Sequence, residues 1–255
     1  MPKSPAARTS RRPKLTEERV IASAMRIADK EGLDALSMRR LAQSLRVEAM
    51  SLYNHFANKE AILDALVEQV FRLIFVPEVG TAWQTAMHAR AVSARKALLL
   101  HPWAAALSES RSTSGPIRLR LCNAVLAVLL EAEFSMELAQ SAFVTLDSYI
   151  YGFALQQANW PFLPEQRQQA LESFIEHTNL EAYPHVSAIA EHAKSSPEVG
   201  TSIYDRQFEF GLALILEGLE RARRKEPHLL PHVRDETGDE RANPRVFARP
   251  KRGRV

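Results

Sequence analysis

The chain has 255 residues, a formal net charge of +3 and an apolar fraction of 46% with only 9 glycines, which suits one small and one larger packed, helix-rich unit. Its single cysteine, Cys122, excludes an internal disulfide framework. No apolar run reaches the length of a membrane span, and the first residues lack the apolar core of a secretory signal, so a soluble cytoplasmic protein is expected. Charge is unevenly spread: Lys3, Arg8, Arg11, Arg12 and Lys14 precede the first acid, Glu17. Residues 1–14 therefore read as a disordered basic arm.

A helix is predicted from Thr16 to Lys30, with Thr16 as N-cap, Glu17 and Glu18 suiting the dipole and Gly32 as its stop. Val20, Ile21, Ala24 and Ile27 form its apolar stripe, and Leu33 and Leu36 pack the connection that follows. Ser37 then caps a short helix from Met38 to Leu45, whose inward stripe is Leu41, Ala42 and Leu45. Arg46-Val47 makes a tight turn with Val47 pointing in. A left-handed conformation at Arg46 costs on the order of 1 kcal/mol. A second short helix, Glu48 to Phe56, is anchored by Leu52 and Phe56. That leaves Ala49, Met50, Ser51, Tyr53, Asn54 and His55 on or near the open side. Two short helices around a tight turn, the second presented outward, is the arrangement that puts side chains into a DNA major groove. Asn58 caps a further helix, Lys59 to Phe75, with Ile62, Leu63, Leu66, Val70 and Leu73 in helical period. Pro77 and Gly80 end it and mark a domain boundary.

The stretch 15–70 resembles the DNA-binding domain of TetR-family transcriptional regulators. TEERVIASAMRIADKEG, GLDALSMRRLAQSL and VEAMSLYNHFANKEAILDAL carry the resemblance, above all Tyr53, His55, Phe56, Lys59, Glu60, Leu63, Asp64 and Leu66. Arg46 stands where the family usually has a turn glycine. The resemblance implies that Tyr53, His55 and Lys59 hold the DNA backbone. It also implies that Arg39, at the start of the supporting helix beside Ser37, reaches a guanine edge, which arginine grips with two hydrogen bonds. Ser51 can donate to a phosphate or a base, and Ala49 and Met50 can touch thymine methyls. Arg40 and Asn54 read as solvated surface. The basic arm either follows the backbone or is a plain solvated tail.

From Ala82 onward the pattern is helical with no convincing strand, so the fold class is all-α. An N-terminal helix-turn-helix domain (15–75, with the motif at 37–56) precedes a larger helical ligand-binding and dimerisation domain (82–226). Trp83, Met87, Arg90, Ala91, Ala94 and Leu98 describe one helix ending at His101-Pro102, and Trp103 to Ser110 a short one. After the polar turn RSTSG, Pro116 suits a first helical position. The helix Ile117 to Glu133, apolar nearly all round, should be central. Within it Cys122 reads as a buried thiol rather than a nucleophile. Ser135 opens a long helix to Asn159. Gln166 to Glu176 and Tyr183 to Lys194 read as shorter, more polar helices, and Ser202 to Lys225 as the last long one. Residues 227–255, rich in proline and charge, are expected to be disordered.

The two long helices carry apolar residues on more than one side, which calls for more than one packing partner. Leu146 and Ile150 in one, and Phe208, Leu212, Ile215 and Leu219 in the other, are assigned to a homodimeric four-helix bundle, with Gly211 and Gly218 allowing close approach. The TetR-family resemblance implies the same assembly. A regulator needs an input, and apolar and aromatic residues near helix ends are its candidates: Trp83, Met87, His101, Trp103, Phe143, Tyr149, Phe153, Trp160 and Phe162.

Residues 83–160 resemble the C-terminal domain of the tetracycline repressors through ARKALLLHPWAAAL and AQSAFVTLDSYIYGFALQQANW. In those repressors a histidine at the position of His101 holds the magnesium of a metal–drug complex. Here Gln156-Gln157 stands where an acidic residue would complete the outer shell, and amides replace carboxylates poorly around a hard cation. Neither tetracycline nor magnesium is carried over, and no metal or cofactor is expected. No nucleophile elbow, HExxH spacing or phosphate-cradling loop supports an enzyme. The expected partners are a palindromic operator in double-stranded DNA, a small and largely apolar effector and a second copy of the chain, with no membrane. Release of a repressor by that effector is the main reading. An activator, a corepressor-dependent regulator and an effector-independent DNA-binding protein are the alternatives.

Overall fold

A computed structural model describes residues 14–111, 115–159, 167–180, 182–195 and 202–225. Regular structure among them is entirely helical: α1 (Glu17–Glu31), α2 (Met38–Leu45), α3 (Ala49–Tyr53), α4 (Lys59–Phe71), α5 (Trp83–Leu100), α6 (Trp103–Ser110), α7 (Pro116–Glu131), α8 (Met136–Ala158), α9 (Arg167–His177), α10 (Pro184–Ser195) and α11 (Ser202–Arg224), with a 3-10 turn Leu33–Ala35 after α1. The expectations for the basic arm up to residue 13, the middle of the RSTSG turn, Trp160, Phe162 and the tail after residue 225 lie outside the described residues.

Helix starts follow the local chemistry. Each of four N-cap side chains accepts a bond from an otherwise orphaned backbone N–H: Thr16 from Arg19 at 3.4 Å, Ser37 from Arg40 at 3.1 Å, Asn58 from Ala61 at 2.8 Å and Ser135 from Leu138 at 3.2 Å. Pro116 occupies the first turn of α7, where its missing N–H costs nothing. Arg46 has φ 56° and ψ 45°, the left-handed conformation expected of it. The turn is closed by Val47 N–H donating to the Ala42 carbonyl at 3.1 Å and Arg46 N–H to that of Gln43 at 3.2 Å. These bonds offset the strain that a glycine would avoid.

The head packs α1 to α4 around Val20, Ala24, Ile27, Leu36, Leu41, Leu52, Phe56, Ile62 and Leu66, all buried. The Ser23 and Ser44 hydroxyls bond across α1 and α2. Two predicted boundaries are corrected. α3 stops at Tyr53 rather than Phe56, because His55 and Phe56 N–H both donate to the Leu52 carbonyl at 2.9 Å; this tightens the last turn and still brings Phe56 into the core. α4 stops at Phe71 rather than Phe75, because Leu73 N–H turns back to Val70 and Ile74 N–H to Phe71. That tighter winding rotates Ile74 inward and leaves Leu73 52% and Phe75 44% exposed, so Leu73 leaves the inward stripe.

The larger unit is built on α8, against which α5, α7 and α11 pack, while α4 meets α5, α6 and α7. The buried Arg90 pairs with Asp147 and lies 5.7 Å from the Phe143 ring. α7 is not enclosed as expected: Leu121, Val125, Val128 and Leu129 face inward, but Leu119 and Leu130 are exposed, because its packing partners α4, α5 and α8 leave one side open. Half-burial raises the Cys122 thiol above its usual pKa, with Asp147 adding to the effect, so little reactive thiolate exists at neutral pH.

The interface stripe is corrected most. Leu146, Ile150, Phe208, Leu212 and Leu219 are buried within a single chain and Ile215, partly buried, packs against the same core, so most of this stripe is already covered inside one chain. Tyr149 stacks on Phe208 with centroids 5.3 Å apart and donates its hydroxyl to the Phe208 carbonyl at 2.8 Å. Gly211 is what admits it, since a Cβ there would collide with the Tyr149 ring. The apolar side chains left open on these helices include Phe210 at 69%, Val144 at 55% and Leu214 at 54%.

Candidate nucleic-acid interface and effector cavity

The head presents its recognition side chains outward. Leu52 is fully buried, and its burial fixes the rotation of α3 so that Met50 is 73% and Tyr53 46% exposed. Ser37, Arg39 and Asn54 are exposed as well, while Ala49, Ser51, His55 and Lys59 are partly exposed. Lys59 opens α4, where the positive end of the helix dipole and its open N–H groups suit a phosphate. The two neighbouring arginines separate cleanly. Arg40 is spent on Glu31 through contacts of 2.6 and 3.1 Å, and this bond holds the Glu31 carboxyl below its usual pKa. Arg39 takes part in no hydrogen bond or ion pair among the described residues.

Two clusters of side-chain bonds help tie the head to the larger unit. Asp29 of α1 accepts from Trp103 Nε1 at 2.7 Å and bonds His101 Nδ1 at 2.8 Å. In the other, Glu60, Asp64 and Glu68 form one acidic edge of α4. Arg111 bonds Asp64 and Glu60 at 2.6 Å each. Glu68 accepts from the Ile117 N–H at 2.8 Å and the Arg118 N–H at 3.3 Å, so a side chain of α4 caps the N-terminus of α7. Gly115 makes this possible, because a Cβ on it would overlap the Glu68 carboxyl. The i, i+4, i+8 spacing of these acids was visible in the sequence; their partners were not.

A cavity of about 680 Å³ opens at the far end of α8, within the size range of small-molecule sites. It is lined by Phe153, Gln156 and Gln157 of α8, Ala170, Leu171 and Phe174 of α9, Val186, Ile189, Ala190 and Ala193 of α10, and Ile203, Tyr204 and Gln207 of α11. Of the expected effector residues that are described, only Phe153 reaches it. Trp83 is buried edge-on against Phe134, with its Nε1 on Glu220 at 3.3 Å, and Met87 is core. His101 and Trp103 are the ties to Asp29, Phe143 lies near Arg90, and Tyr149 fills the space beside Gly211. Aromatic weight near helix ends therefore marked packing and inter-unit contacts. α9 and α10, the two short helices after the break, supply the cavity wall. No group of three or more His, Cys, Asp or Glu able to hold a metal occurs among the described residues, and no described helix is long and apolar enough to cross a membrane.

Comparison with known proteins agrees with this layout. The family pattern described as bacterial regulatory proteins, tetR family, matches residues 20–66, and the tetracyclin repressor-like C-terminal domain matches residues 76–223. The HTH-type transcriptional repressor DrrR1 of Streptomyces coeruleorubidus is 32% identical over 220 residues, covering 84% of this chain and 81% of that protein. The class C tetracycline repressor protein of Escherichia coli is 32% identical over 214 residues, covering 82% of this chain and 93% of that one. Among solved structures, the TetR family protein ActR of Streptomyces coelicolor in complex with (S)-DNPA superposes with a TM-score of 0.65 at 30% identity, covering 82% of this chain and 98% of that chain. With an outward-facing recognition helix on a head wedged against a larger helical domain, and with both family patterns matched in order, the chain belongs to the TetR family of transcriptional regulators.

Proposed function

We propose that this regulator is a homodimeric repressor, held on a palindromic operator by two heads and released when a small, largely apolar molecule enters the cavity of α8 to α11. The head comprises residues 15–75, the ligand-binding and dimerisation domain residues 82–226, and the protein works on DNA in the cytoplasm. In this reading Arg39 reads a base edge, Tyr53, His55 and Lys59 hold phosphates, and Ser37, Ala49, Met50 and Ser51 complete the contact. The second copy docks on the open α8–α11 face that carries Val144, Phe210 and Leu214, in place of the stripe first assigned.

The observation that carries the proposal is the grip of the larger domain on α4. Arg111 and the N-terminus of α7 are both bonded to its acidic edge, so a change in the packing of the larger domain is felt at the helix that begins with Lys59. The repressor names of the relatives support the sign, and a relative solved with a bound small molecule supports the input. Release requires that the effector bind the DNA-free arrangement more tightly, and coupling of this kind is reciprocal. Operator DNA is therefore expected to weaken effector binding by the same factor by which effector weakens operator binding. Titration of a ligand found by thermal-shift screening of apolar small molecules, with and without a selected operator duplex, tests this; equal ligand affinity in the two titrations refutes release.

A further inference from the structure

Among the described residues, Gln157 is the one cavity-lining amide whose orientation is dictated by an ionised neighbour. Arg95, a buried residue, donates from Nε to Gln157 Oε1 at 3.0 Å and from Nη2 to the same oxygen at 2.8 Å. Its remaining end pairs with Asp205 at 2.8 Å, and its plane lies over Phe208 and Phe153 at 4.9 and 5.4 Å. A guanidinium has donors only, so the amide must turn its oxygen to Arg95. The Gln157 amino group then has no acceptor among the described residues, and it belongs to a side chain that lines the cavity. Apart from the Tyr204 hydroxyl, the lining offers no ionisable group among the described residues, only apolar side chains and amides.

We infer that Gln157 is a specificity-determining hydrogen-bond donor, fixed by Arg95, which selects uncharged apolar effectors carrying a carbonyl-type acceptor oxygen. Arg95 is the positioning residue. The inference rests on the effector-cavity reading above and deepens it. A site that offers a fixed donor leaves that donor unpaired when the ligand lacks an acceptor, and this mismatch is what discriminates.

The test uses the full chain and three naphthalenes with a single substituent: 2-acetylnaphthalene (acceptor), 2-ethylnaphthalene (neither) and 2-naphthol (donor), measured by equilibrium dialysis. Gln157→Glu keeps the contact to Arg95 and replaces the amino group by a carboxylate oxygen. The acetyl-to-ethyl affinity ratio is expected to fall roughly three- to tenfold in this variant, while 2-naphthol gains. Arg95→Gln frees the amide to rotate and lowers the same ratio with Gln157 still present; a merely structural role for Arg95 would weaken all three probes alike. An unchanged ratio in Gln157→Glu, with the probes still bound, overturns the assignment of Gln157. Ala190→Trp, which puts an indole into the cavity from a buried lining position, is expected to weaken the binding of all three. If it leaves their binding intact, or if none of them binds the unaltered chain, the cavity reading fails and takes the inference with it.

Discussion

The cap that α4 places on α7 makes a quantitative prediction. Glu68 accepts from Ile117 N–H at 2.8 Å and from Arg118 N–H at 3.3 Å, filling the role that the glycine at the N-cap position, Gly115, cannot fill. A capping bond contributes about 1 kcal/mol, and a carboxylate at a helix N-terminus adds about 0.3–1 kcal/mol. Glu68→Ala is therefore expected to cost about 1.5–2 kcal/mol, or roughly 3–8 °C in Tm for a chain of this length. Gly115 has φ −71° and ψ 170°, which alanine adopts without strain. Gly115→Ala alone should cost about 1–2 kcal/mol by pushing the carboxyl off the helix end, a loss drawn from the same capping bond. With Glu68 already alanine the same change should be neutral, or gain about 0.4–1 kcal/mol from a stiffer unfolded chain. A double-mutant cycle in urea, followed by tryptophan fluorescence, reads the coupling directly. Strict additivity would show that the carboxyl does not sit on the helix end. The same variants are expected to bind operator but to respond less to effector, because the larger domain has lost one of its grips on α4.

Other outcomes follow from the same geometry. Lys59→Ala should weaken binding to all duplexes alike and reduce the salt slope by about 1, whereas Arg39→Ala should also cost about 1–3 kcal/mol at one base pair and relax preference there; Arg40→Ala should do neither, its guanidinium being spent on Glu31. In sedimentation, Leu214→Asp with Phe210→Ser should give a folded monomer with poor operator affinity, while Leu212→Asp should unfold the chain, since Leu212 is buried within it. Glu220, bonded to Arg223 and Arg224, has its pKa lowered to about 2. Because the folded value lies below the unfolded one, its anchoring of the end of α11 is complete above about pH 4.5 and lost as pH falls toward 2. Glu220→Gln should remove that acid-sensitive component from a stability profile over this window and leave the neutral region flat.

What the sequence made legible was whatever is decided within one turn of the chain. The caps Thr16, Ser37, Asn58 and Ser135, the proline opening α7 and the left-handed Arg46 all depend on neighbours three to five residues away. The rotation of α3 was legible as well, because Leu52 within it and Phe56 just after it, four residues apart, are the side chains that anchor it in the core. What failed depends on partners far along the chain. Periodicity showed that α8 and α11 are apolar on more than one side, but it did not say which side each helix turns to the other. Phe208 and Leu212 went inward and Phe210 and Leu214 stayed out. The cavity was missed for the same reason: α9 and α10 are short and mostly polar, and their apolar residues acquire meaning only where they converge on Phe153 and Gln157. His101 and Trp103 drew attention as ligand residues, yet their polar atoms are satisfied by Asp29, more than seventy residues earlier in the chain.

The central claim is that two copies of this head enter one duplex. Selection of random-sequence duplexes on the purified full chain at low salt, followed by sequencing of the retained fraction and determination of the mass of the complex, addresses it directly. The account predicts an inverted repeat with half-sites about 34 Å apart, or a multiple of that spacing, occupied by an even number of chains. A monomer on a single asymmetric site, or no retention of DNA at low salt, would contradict it.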